Sequence, residues 1–243
     1  LIATKELRLT GDLIIASFFD AANKKERDEK KNYYLSQLSM SLKDDDPLLQ
    51  KIKEIPVYLA KGTKGIKPFH WELEFPEVFN LNRGGFDIFV GNPPFAGSVL
   101  LSQSNKTFFT DFLRNSYKGT GGNCDLTAYF FRRAYDLIKK GGTVNFIATN
   151  TISQGGTRTS GLANILANKG LIFNAIKKAR WPGVASVLIS IVHILKSETS
   201  KINPILNYEK AKRISAYLTD SKIDNDPYPI SGNKKKIICG IGK

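Results

Sequence analysis

One short apolar segment that runs directly into two prolines constrains this chain most. The residues Phe86-Asp87-Ile88-Phe89-Val90-Gly91 have the composition of a β-strand, and Asn92-Pro93-Pro94-Phe95 follow at once. Each proline fixes φ and lacks a backbone N–H, so the strand has to end there in a stiff loop. The loop presents two hydrogen-bond acceptors, the side-chain oxygen of Asn92 and the carbonyl oxygen of Pro93. Open α/β sheets bind ligands at the carboxyl ends of their strands, so the segment predicts a ligand site there.

Strand-like and helix-like segments alternate through the middle of the chain. Strands are predicted at residues 86–90, 144–148, 171–176 and 184–195, and helices at 106–117, at 125–139 and from 162 onward. Gly141 and Gly142 are predicted to end the second helix. Only Trp181-Pro182-Gly183 connect the last two strands, which is too short for a helical crossover, so these strands should be antiparallel. The pattern predicts an α/β fold with a parallel sheet that ends in an antiparallel hairpin.

The segments on either side of this pattern differ from it. Residues 11–22 are predicted to form a buried helix, Asn23 to Lys31 carry charges of both signs, and Asp46-Pro47 precede a short helix. We interpret residues 1–64 as a helical lead-in segment that includes an exposed helical linker. The core is predicted at residues 65–197. Periodicity weakens beyond it, and residues 198–243 are interpreted as a linker or the start of a further region.

Composition narrows the classes of partner. Lysine and arginine total 36 against 22 acidic residues, a formal charge of +14, and cations that neutralise phosphates gain from counterion release, which favours nucleic acid as the partner. No uncharged apolar stretch approaches the ~20 residues of a membrane helix, so no membrane association is expected. Two cysteines and two histidines are spaced too widely for a zinc finger or a disulfide framework. We therefore expect a reducing compartment and no metal.

The Asn-Pro-Pro-Phe loop suits a planar amino group on a flat ring. Asn92 and Pro93 can each accept one N–H, while the ring stacks on Phe95. Two accepted hydrogen bonds favour a more tetrahedral nitrogen whose lone pair can point at an electrophilic methyl group, and they stabilise the ammonium that develops. A base of duplex DNA has to be flipped out first, at about a few kcal/mol. The alternative is a turn that merely ends a strand.

Several blocks together resemble a known family, the large adenine-N6 DNA methyltransferases of restriction-modification systems, in particular the fused type IIG-like enzymes. The blocks are Phe69-His70-Trp71-Glu72-Leu73-Glu74-Phe75-Pro76-Glu77-Val78-Phe79, Gly84-Gly85-Phe86-Asp87 and Gly91-Asn92-Pro93-Pro94-Phe95. The resemblance implies a partial Rossmann-like core that depends on S-adenosylmethionine. It also implies catalytic roles for Asn92, Pro93, Pro94 and Phe95, double-stranded DNA with a flipped adenine as substrate, and the cytoplasm of a prokaryote as location.

Two downstream blocks extend the resemblance to about residue 196. They are Asn150-Thr151-Ile152-Ser153-Gln154-Gly155 and Arg180-Trp181-Pro182-Gly183-Val184-Ala185-Ser186-Val187. In the family, the aromatic residue before the proline of the second block lines the pocket of the flipped adenine, which implies that Trp181 is a second wall of the base pocket beside Phe95. The alternative is a core tryptophan that anchors the hairpin. The segment Asp125-Leu126 also resembles the family, in which tyrosine is common at the place of Thr127.

One family motif is missing from the sequence. The Asp-Pro-x-x-Gly-x-Gly turn that binds the cofactor occurs nowhere in the 243 residues, and the glycines at 155–161 and 240–242 lack its context. We infer that the cofactor-binding residues lie upstream in a longer parent chain. The S-adenosylmethionine pocket is therefore expected to be incomplete here, and the remainder of the parent chain is expected as a partner. Residues 198–243 are then a linker or the start of a target-recognition region.

Two other functions stay open at this stage. A methyltransferase that acts on a glutamine side chain would also suit Asn-Pro-Pro-aromatic, although the Trp181 block and the charge favour DNA. A chain without the cofactor half could also be a catalytically incomplete fragment that only binds DNA. Two further features are interpreted as structural: the Glu-rich run after His70, expected to pack beside the catalytic strand, and His193, expected within the sheet.

Overall fold

The computed structural model describes residues 2–40, 46–79, 84–97, 108–121, 123–182, 187–197 and 202–221. The helices before the second strand are α1 (Ile2–Phe19), α2 (Lys24–Met40), α3 (Pro47–Leu59), α4 (Trp71–Glu74), α5 (Phe109–Ser116) and α6 (Leu126–Leu137). A 3-10 turn at Asn150–Ser153 then leads into α7 (Gly155–Arg158), a π-helical turn at Thr159–Ala163 and α8 (Asn164–Ala167). The strands are β1 (Phe86–Gly91), β2 (Ile138–Thr149), β3 (Gly170–Arg180), β4 (Leu188–Lys196), β5 (Ile205–Leu206) and β6 (Glu209–Lys210).

The strands form one mixed sheet in the order β1-β2-β4-β3-β5-β6. β1 is parallel to β2, and β4 is antiparallel to both β2 and β3. The predicted antiparallel pairing of the last two long strands is confirmed. The prediction of a parallel sheet that ends in an antiparallel hairpin gave no strand order, and the structure shows that β4 inserts between β2 and β3. In that position the backbone of β4 forms hydrogen bonds on both of its edges.

Helices cover one face of this sheet. The ring of Phe131 on α6 meets that of Phe146 on β2 edge to face, with 5.1 Å between the centroids. Leu162 and Ile165 from the helical segment after β2 are buried in the same core cluster. β2 and β4 supply alternate residues to this cluster, as a half-buried sheet requires: Val144, Phe146 and Ala148 from β2, and Val192 and Ile194 from β4. β3 supplies Ile172 and Ala175, which are three residues apart because the register of β3 shifts between Ile172 and Asn174.

The opposite face is exposed on β1. Ile88 and Val90 are 60% and 78% exposed, and they align with Thr143 and Asn145 of β2. β1 is also the first strand in the sheet order, so its outer edge has no described neighbour. An apolar edge and face of this kind are normally covered in α/β proteins, because parallel strands are buried on both sides.

The lead-in segment forms a three-helix layer. Leu13, Tyr34 and Ile52, one from each of α1, α2 and α3, are buried together, and the Tyr34 hydroxyl donates to Asp20 at 2.6 Å. The charged stretch predicted as an exposed linker is therefore the start of α2, whose other side packs on α1. The predicted start of α3 is confirmed, since the side chain of Asp46 accepts a hydrogen bond from the backbone N–H of Leu48.

The glycine pair at 141–142 does not end a helix. α6 ends at Leu137, because Ile138 already has extended dihedrals (φ −80°, ψ 147°) and begins β2. Phe86 pairs with Ile138 whereas Ile88 pairs with Thr143, so β2 has extra residues at this point. Gly141 has φ +80° within this bulge, a backbone conformation that glycine adopts at little cost.

The segment after β4 returns to the core. Ile214, Ala216 and Leu218 belong to the core cluster of the sheet, and Lys177 on β3 donates through Nζ to the Tyr217 carbonyl at 2.6 Å. The domain boundary at 197 stays a prediction, and the rest of the tail lies outside the described residues. None of the described helices combines the length and apolar character needed to cross a membrane.

Candidate functional site

The residues predicted to form the site lie at one edge of the sheet. β1 and β2 are parallel, and β3 has the same direction because β4 is antiparallel to both β2 and β3. The carboxyl ends of these three strands therefore share an edge. Asn92 follows β1, Asn150 follows β2 and Trp181 follows β3. This edge is where open α/β sheets bind their ligands.

The two predicted ring walls are on the same edge but on different strands. β2 and β4 separate β1 from β3, and at about 4.8 Å per strand the two strand ends are about 14 Å apart. Thr149 and Ala179 both pair with Ile189, so β2 and β3 end at the same level. The structure thus places Phe95 and Trp181 at the same edge of the sheet but does not bring them into one compact cluster. Residues 183–186, which follow Trp181 and Pro182, lie outside the described residues.

The loop after β1 is anchored on the first turn of α6. Pro93 is buried, Asn92 and Pro94 are exposed, and Phe95 is 41% exposed. The hydroxyl of Thr127 lies 3.2 Å from the Pro94 carbonyl oxygen and donates to it. The backbone N–H of Leu126 donates to the Ala96 carbonyl at 2.9 Å. The loop therefore has two fixed carbonyl groups, one on each side of Phe95.

Asp125 organises the start of α6. Its side chain accepts from the backbone N–H of Thr127 at 2.9 Å and lies 2.7 Å from the Thr127 hydroxyl, as expected of an N-cap. Its own backbone N–H donates to the Thr157 hydroxyl on α7 at 3.1 Å. A Cβ atom at Gly156 would lie 2.5 Å from the Asn123 carbonyl oxygen, so glycine is needed for this approach. Residues 123–127 thus hold both the loop after β1 and the helix after β2.

A cavity of about 500 Å³ opens beside the loop. Asn92, Pro93 and Pro94 lie at one end of it, and Arg133 is the charged residue among the described lining residues. About half of the described lining residues are aromatic: Trp71, Phe89, Phe109, Phe112, Tyr117, Tyr129, Phe130 and Phe146. Such apolar cavities with a few polar groups are the usual form of ligand sites. Sequence reasoning missed it because its walls come from separate segments of the chain.

Two phenols of this wall are neutral. Burial raises the pKa of both Tyr117 and Tyr129 above the ordinary tyrosine value. Each hydroxyl therefore keeps its proton at neutral pH and is available as a hydrogen-bond donor. The two rings meet edge to face, with 5.5 Å between their centroids, which fixes the orientation of this part of the wall.

The Glu-rich block packs beside β1, which confirms its predicted structural role. The Trp71 ring lies 5.7 Å from that of Phe86 and 5.6 Å from that of Phe89. Glu74 forms an ion pair with Arg8, so this carboxylate ties α4 to α1.

The two histidines also have structural partners. His70 Nε2 lies 2.8 Å from Asp12 Oδ1 on α1. His193 Nδ1 lies 2.7 Å from Asn145 Oδ1, within the sheet as predicted, and burial lowers the pKa of its imidazole. Among the described residues, no three His, Cys, Asp or Glu side chains are placed to hold a metal ion.

Comparison with known proteins identifies the family. Residues 7–177 match the family described as Eco57I restriction-modification methylase. The chain is 27% identical over 172 residues to RM.MjaORFECS2P of Methanocaldococcus jannaschii, whose name places it among type II restriction enzymes and methyltransferases. That alignment covers 67% of this chain and 14% of the relative.

Solved structures of restriction-modification enzymes are also similar. The type IIL enzyme MmeI in complex with DNA has a TM-score of 0.49 at 20% identity, covering 80% of this chain and 26% of that one. The M protein of the type I enzyme EcoKI has a TM-score of 0.34 at 13% identity, covering 77% and 43%. The chain thus spans less than half the length of each of these proteins. Since the family match extends over more than half of the chain, the chain belongs to the Eco57I restriction-modification methylase family.

Proposed function

We propose that this chain is the base-binding part of a site-specific DNA adenine-N6 methyltransferase of a restriction-modification system. The observation that carries the proposal is the Asn92-Pro93-Pro94-Phe95 loop at the carboxyl end of β1, fixed by hydrogen bonds to α6 and bordering a cavity. The family match to a restriction-modification methylase supports it. The formal charge of +14 supports DNA as the substrate.

The loop acts on the amino group of the flipped adenine. The Asn92 side-chain oxygen and the Pro93 carbonyl oxygen each accept one of its N–H groups. This favours a tetrahedral nitrogen whose lone pair points toward the methyl donor, and it stabilises the positive charge that develops there. Pro94 limits the motion of the loop because its φ is fixed. Phe95 presents its exposed ring for stacking against the base.

Trp181 is proposed as the second wall of the base pocket. It follows β3 at the same edge of the sheet, and its backbone N–H donates to the Val187 carbonyl at 3.0 Å. That bond fixes the start of the turn between β3 and β4. The side chain is partly exposed, as a ring that receives a ligand has to be.

The methyl donor of this family is S-adenosylmethionine, which supplies an electrophilic methyl group. The described residues do not form a complete pocket for it. Arg133 is the charged side chain of the cavity wall, and no described carboxylate lines the cavity to accept hydrogen bonds from ribose hydroxyls or from the methionine ammonium group. We therefore assign to these residues the binding of the methyl acceptor, and we assign to them no role in binding or activating the methyl donor.

The exposed side of β1 is the proposed contact with the rest of a longer protein. Ile88 and Val90 are apolar and more than half exposed on an outer strand, an arrangement that a further layer of the same α/β domain would bury. The chain spans only 14% of its relative from M. jannaschii, so ample sequence for such a layer exists in that protein. A DNA-modifying enzyme of this kind works in the prokaryotic cytoplasm.

The proposal is tested with Asn92→Ala in the full-length protein that contains this chain. Loss of one preorganised acceptor should lower methyl transfer to duplex DNA by about 10²-fold or more, because such groups act on the developing charge. DNA binding, measured by fluorescence anisotropy, should change less than about twofold, since phosphate contacts dominate the affinity. Asn115→Ala is the control, because Asn115 is an exposed residue of α5 whose side chain bonds only locally to the Asp111 carbonyl. Full methyl transfer by Asn92→Ala would contradict the role of the loop.

A further inference from the structure

We propose that the hydroxyl of Thr127 is a positioning group for the base-binding loop and sets the orientation of Phe95. This inference rests on the proposed function. Thr127 is 1% exposed, so its hydroxyl has to find its hydrogen-bond partners within the protein. It touches neither the base nor the methyl donor in this role, and acts only through the loop.

The hydroxyl has two acceptors. Asp125 Oδ1 lies 2.7 Å away and the Pro94 carbonyl oxygen 3.2 Å away, so the single proton is shared between a carboxylate of the helix cap and a carbonyl of the loop. Asp125 Oδ1 already accepts from the backbone N–H of Thr127 at 2.9 Å. The cap of α6 therefore persists without the hydroxyl, whereas the bond to Pro94 does not.

The bond to Pro94 acts on a dihedral that the proline rings leave free. The φ angles of Pro93 and Pro94 are fixed by their rings, so the direction in which the chain enters Phe95 depends on ψ of Pro94. The position of the Pro94 carbonyl oxygen reports that angle directly. Thr127 holds this oxygen, while the backbone N–H of Leu126 holds the Ala96 carbonyl at 2.9 Å. The peptide groups on both sides of Phe95 are thus tied to the first turn of α6.

Two substitutions of Thr127 distinguish the role of its hydroxyl from that of its methyl group. Thr127 is packed beneath the loop at the start of a helix, where a hydroxyl without the γ-methyl group of threonine still reaches the carbonyl. Valine has the shape of threonine without the donor. The pair Thr127→Val and Thr127→Ser therefore separates the hydrogen bond from the packing.

The experiment uses the full-length protein and two duplexes. One contains the adenine that the wild type methylates, located beforehand by sequencing of modified plasmid, and serves for the kinetics. The other has 2-aminopurine at that position and serves only for fluorescence, because 2-aminopurine lacks the 6-amino group that accepts the methyl group. Thr127→Val should lower kcat for methyl transfer about tenfold, because a misplaced group costs rate more than affinity. KM for DNA should change less than about twofold, since DNA affinity is dominated by phosphate contacts. The fluorescence lifetime of the flipped base should lengthen, since the base loses its stacking contact with Phe95. Thr127→Ser should recover most of the wild-type rate and lifetime.

Thr10→Val is the matched control. Its hydroxyl also donates to a backbone carbonyl, that of Glu6 at 2.8 Å, but on the exposed surface of α1. It should behave as wild type in both measurements. If Thr127→Val does not fold, Thr127→Cys replaces it, because a thiol of similar size is a weak donor.

The outcomes separate this inference from the proposed function. A wild-type rate and lifetime in Thr127→Val overturn the positioning role, and so does a Thr127→Ser variant as impaired as Thr127→Val. A wild-type protein that methylates DNA but never changes the fluorescence of 2-aminopurine overturns the stacking role of Phe95, and with it this inference. A wild-type protein that methylates no adenine overturns the proposed function itself.

Discussion

Phe95 keeps 41% of its surface exposed although the loop that carries it is held at both ends. Complete burial of a phenylalanine contributes about 1.5–3 kcal/mol, so the exposed part of this side chain forgoes roughly 1 kcal/mol of burial free energy. A loop fixed with an exposed ring is suited to receive a flat ligand, since the stacking surface is formed before binding. Pro93 of the same loop is buried, whereas Pro94 and Phe95 are exposed.

Phe95→Ala should weaken the binding of the flipped base. Loss of stacking costs about 1–3 kcal/mol per base, which corresponds to about a 5- to 150-fold lower kcat/KM for methyl transfer. Phe95→Tyr keeps the ring and should retain most of the activity. Tyr208→Ala is the control, because Tyr208 is 83% exposed in the turn between β5 and β6. Equal activity of Phe95→Ala and wild type in steady-state methylation assays would contradict the proposal that this ring stacks on the flipped base.

The residues that sequence could identify at this site are those that act locally. Asn92 and the two prolines are visible because their effect on the backbone depends only on neighbouring residues. Thr127 was noted only as a departure from the family pattern. Its hydrogen bond to Pro94 joins residues 33 positions apart, and no local sequence pattern predicts such a contact.

At the scale of secondary-structure elements, the first turn of α6 connects two parts of the candidate site. It binds the loop after β1 through Leu126 and Thr127, and it contacts α7 through Asp125. Strand β1 and the antiparallel direction of β4 follow from sequence, because apolar runs and short connections determine them. The position of β4 between β2 and β3 does not, since strand order depends on which edges pair after the chain has collapsed.

Gly156→Ala should weaken the contact between α7 and the segment that leads into α6. The new Cβ would lie 2.5 Å from the backbone oxygen of Asn123, which cannot move without shifting the segment that leads into α6. We expect about 1–3 kcal/mol less free energy of unfolding, as for overpacked sites. Gly121→Ala is the matched control, because nothing lies within 4 Å of its Cβ position. Urea unfolding of the two variants measures the difference in their free energies of unfolding. Equal urea midpoints for Gly156→Ala and Gly121→Ala would show that the backbone at Asn123 shifts at little cost in free energy.

At the scale of the whole molecule, the sheet is covered by helices on one face and exposed on the outer strand of the other. The buried core joins α6, the helical segment after β2 and the segment at residues 214–218. Ile88 and Val90 remain outside it. Sequence indicated the missing cofactor motif but not this asymmetry, because burial of a strand depends on what packs above it.

The imidazole of His193 should make the free energy of unfolding depend on pH. Burial lowers the pKa of this imidazole in the folded chain below its ordinary value of about 6.5, so the unfolded chain binds the proton more readily. The free energy of unfolding should therefore fall as the pH drops below about 6.5, and this decrease should end below the folded-state pKa. His193→Gln should remove that part of the pH dependence. Urea unfolding between pH 7.5 and 5 measures it, and an unchanged slope in the variant would assign the effect to other groups.

The most direct test of the central claim is the chemical identity of the methylated product. The full-length protein is incubated with S-adenosylmethionine carrying a labelled methyl group, duplex DNA and, separately, a glutamine-containing protein mixture. The account predicts that the label is recovered as N6-methyladenine after digestion of the DNA and that none enters glutamine. Label in another base or in protein, or no transfer despite DNA binding, would contradict it.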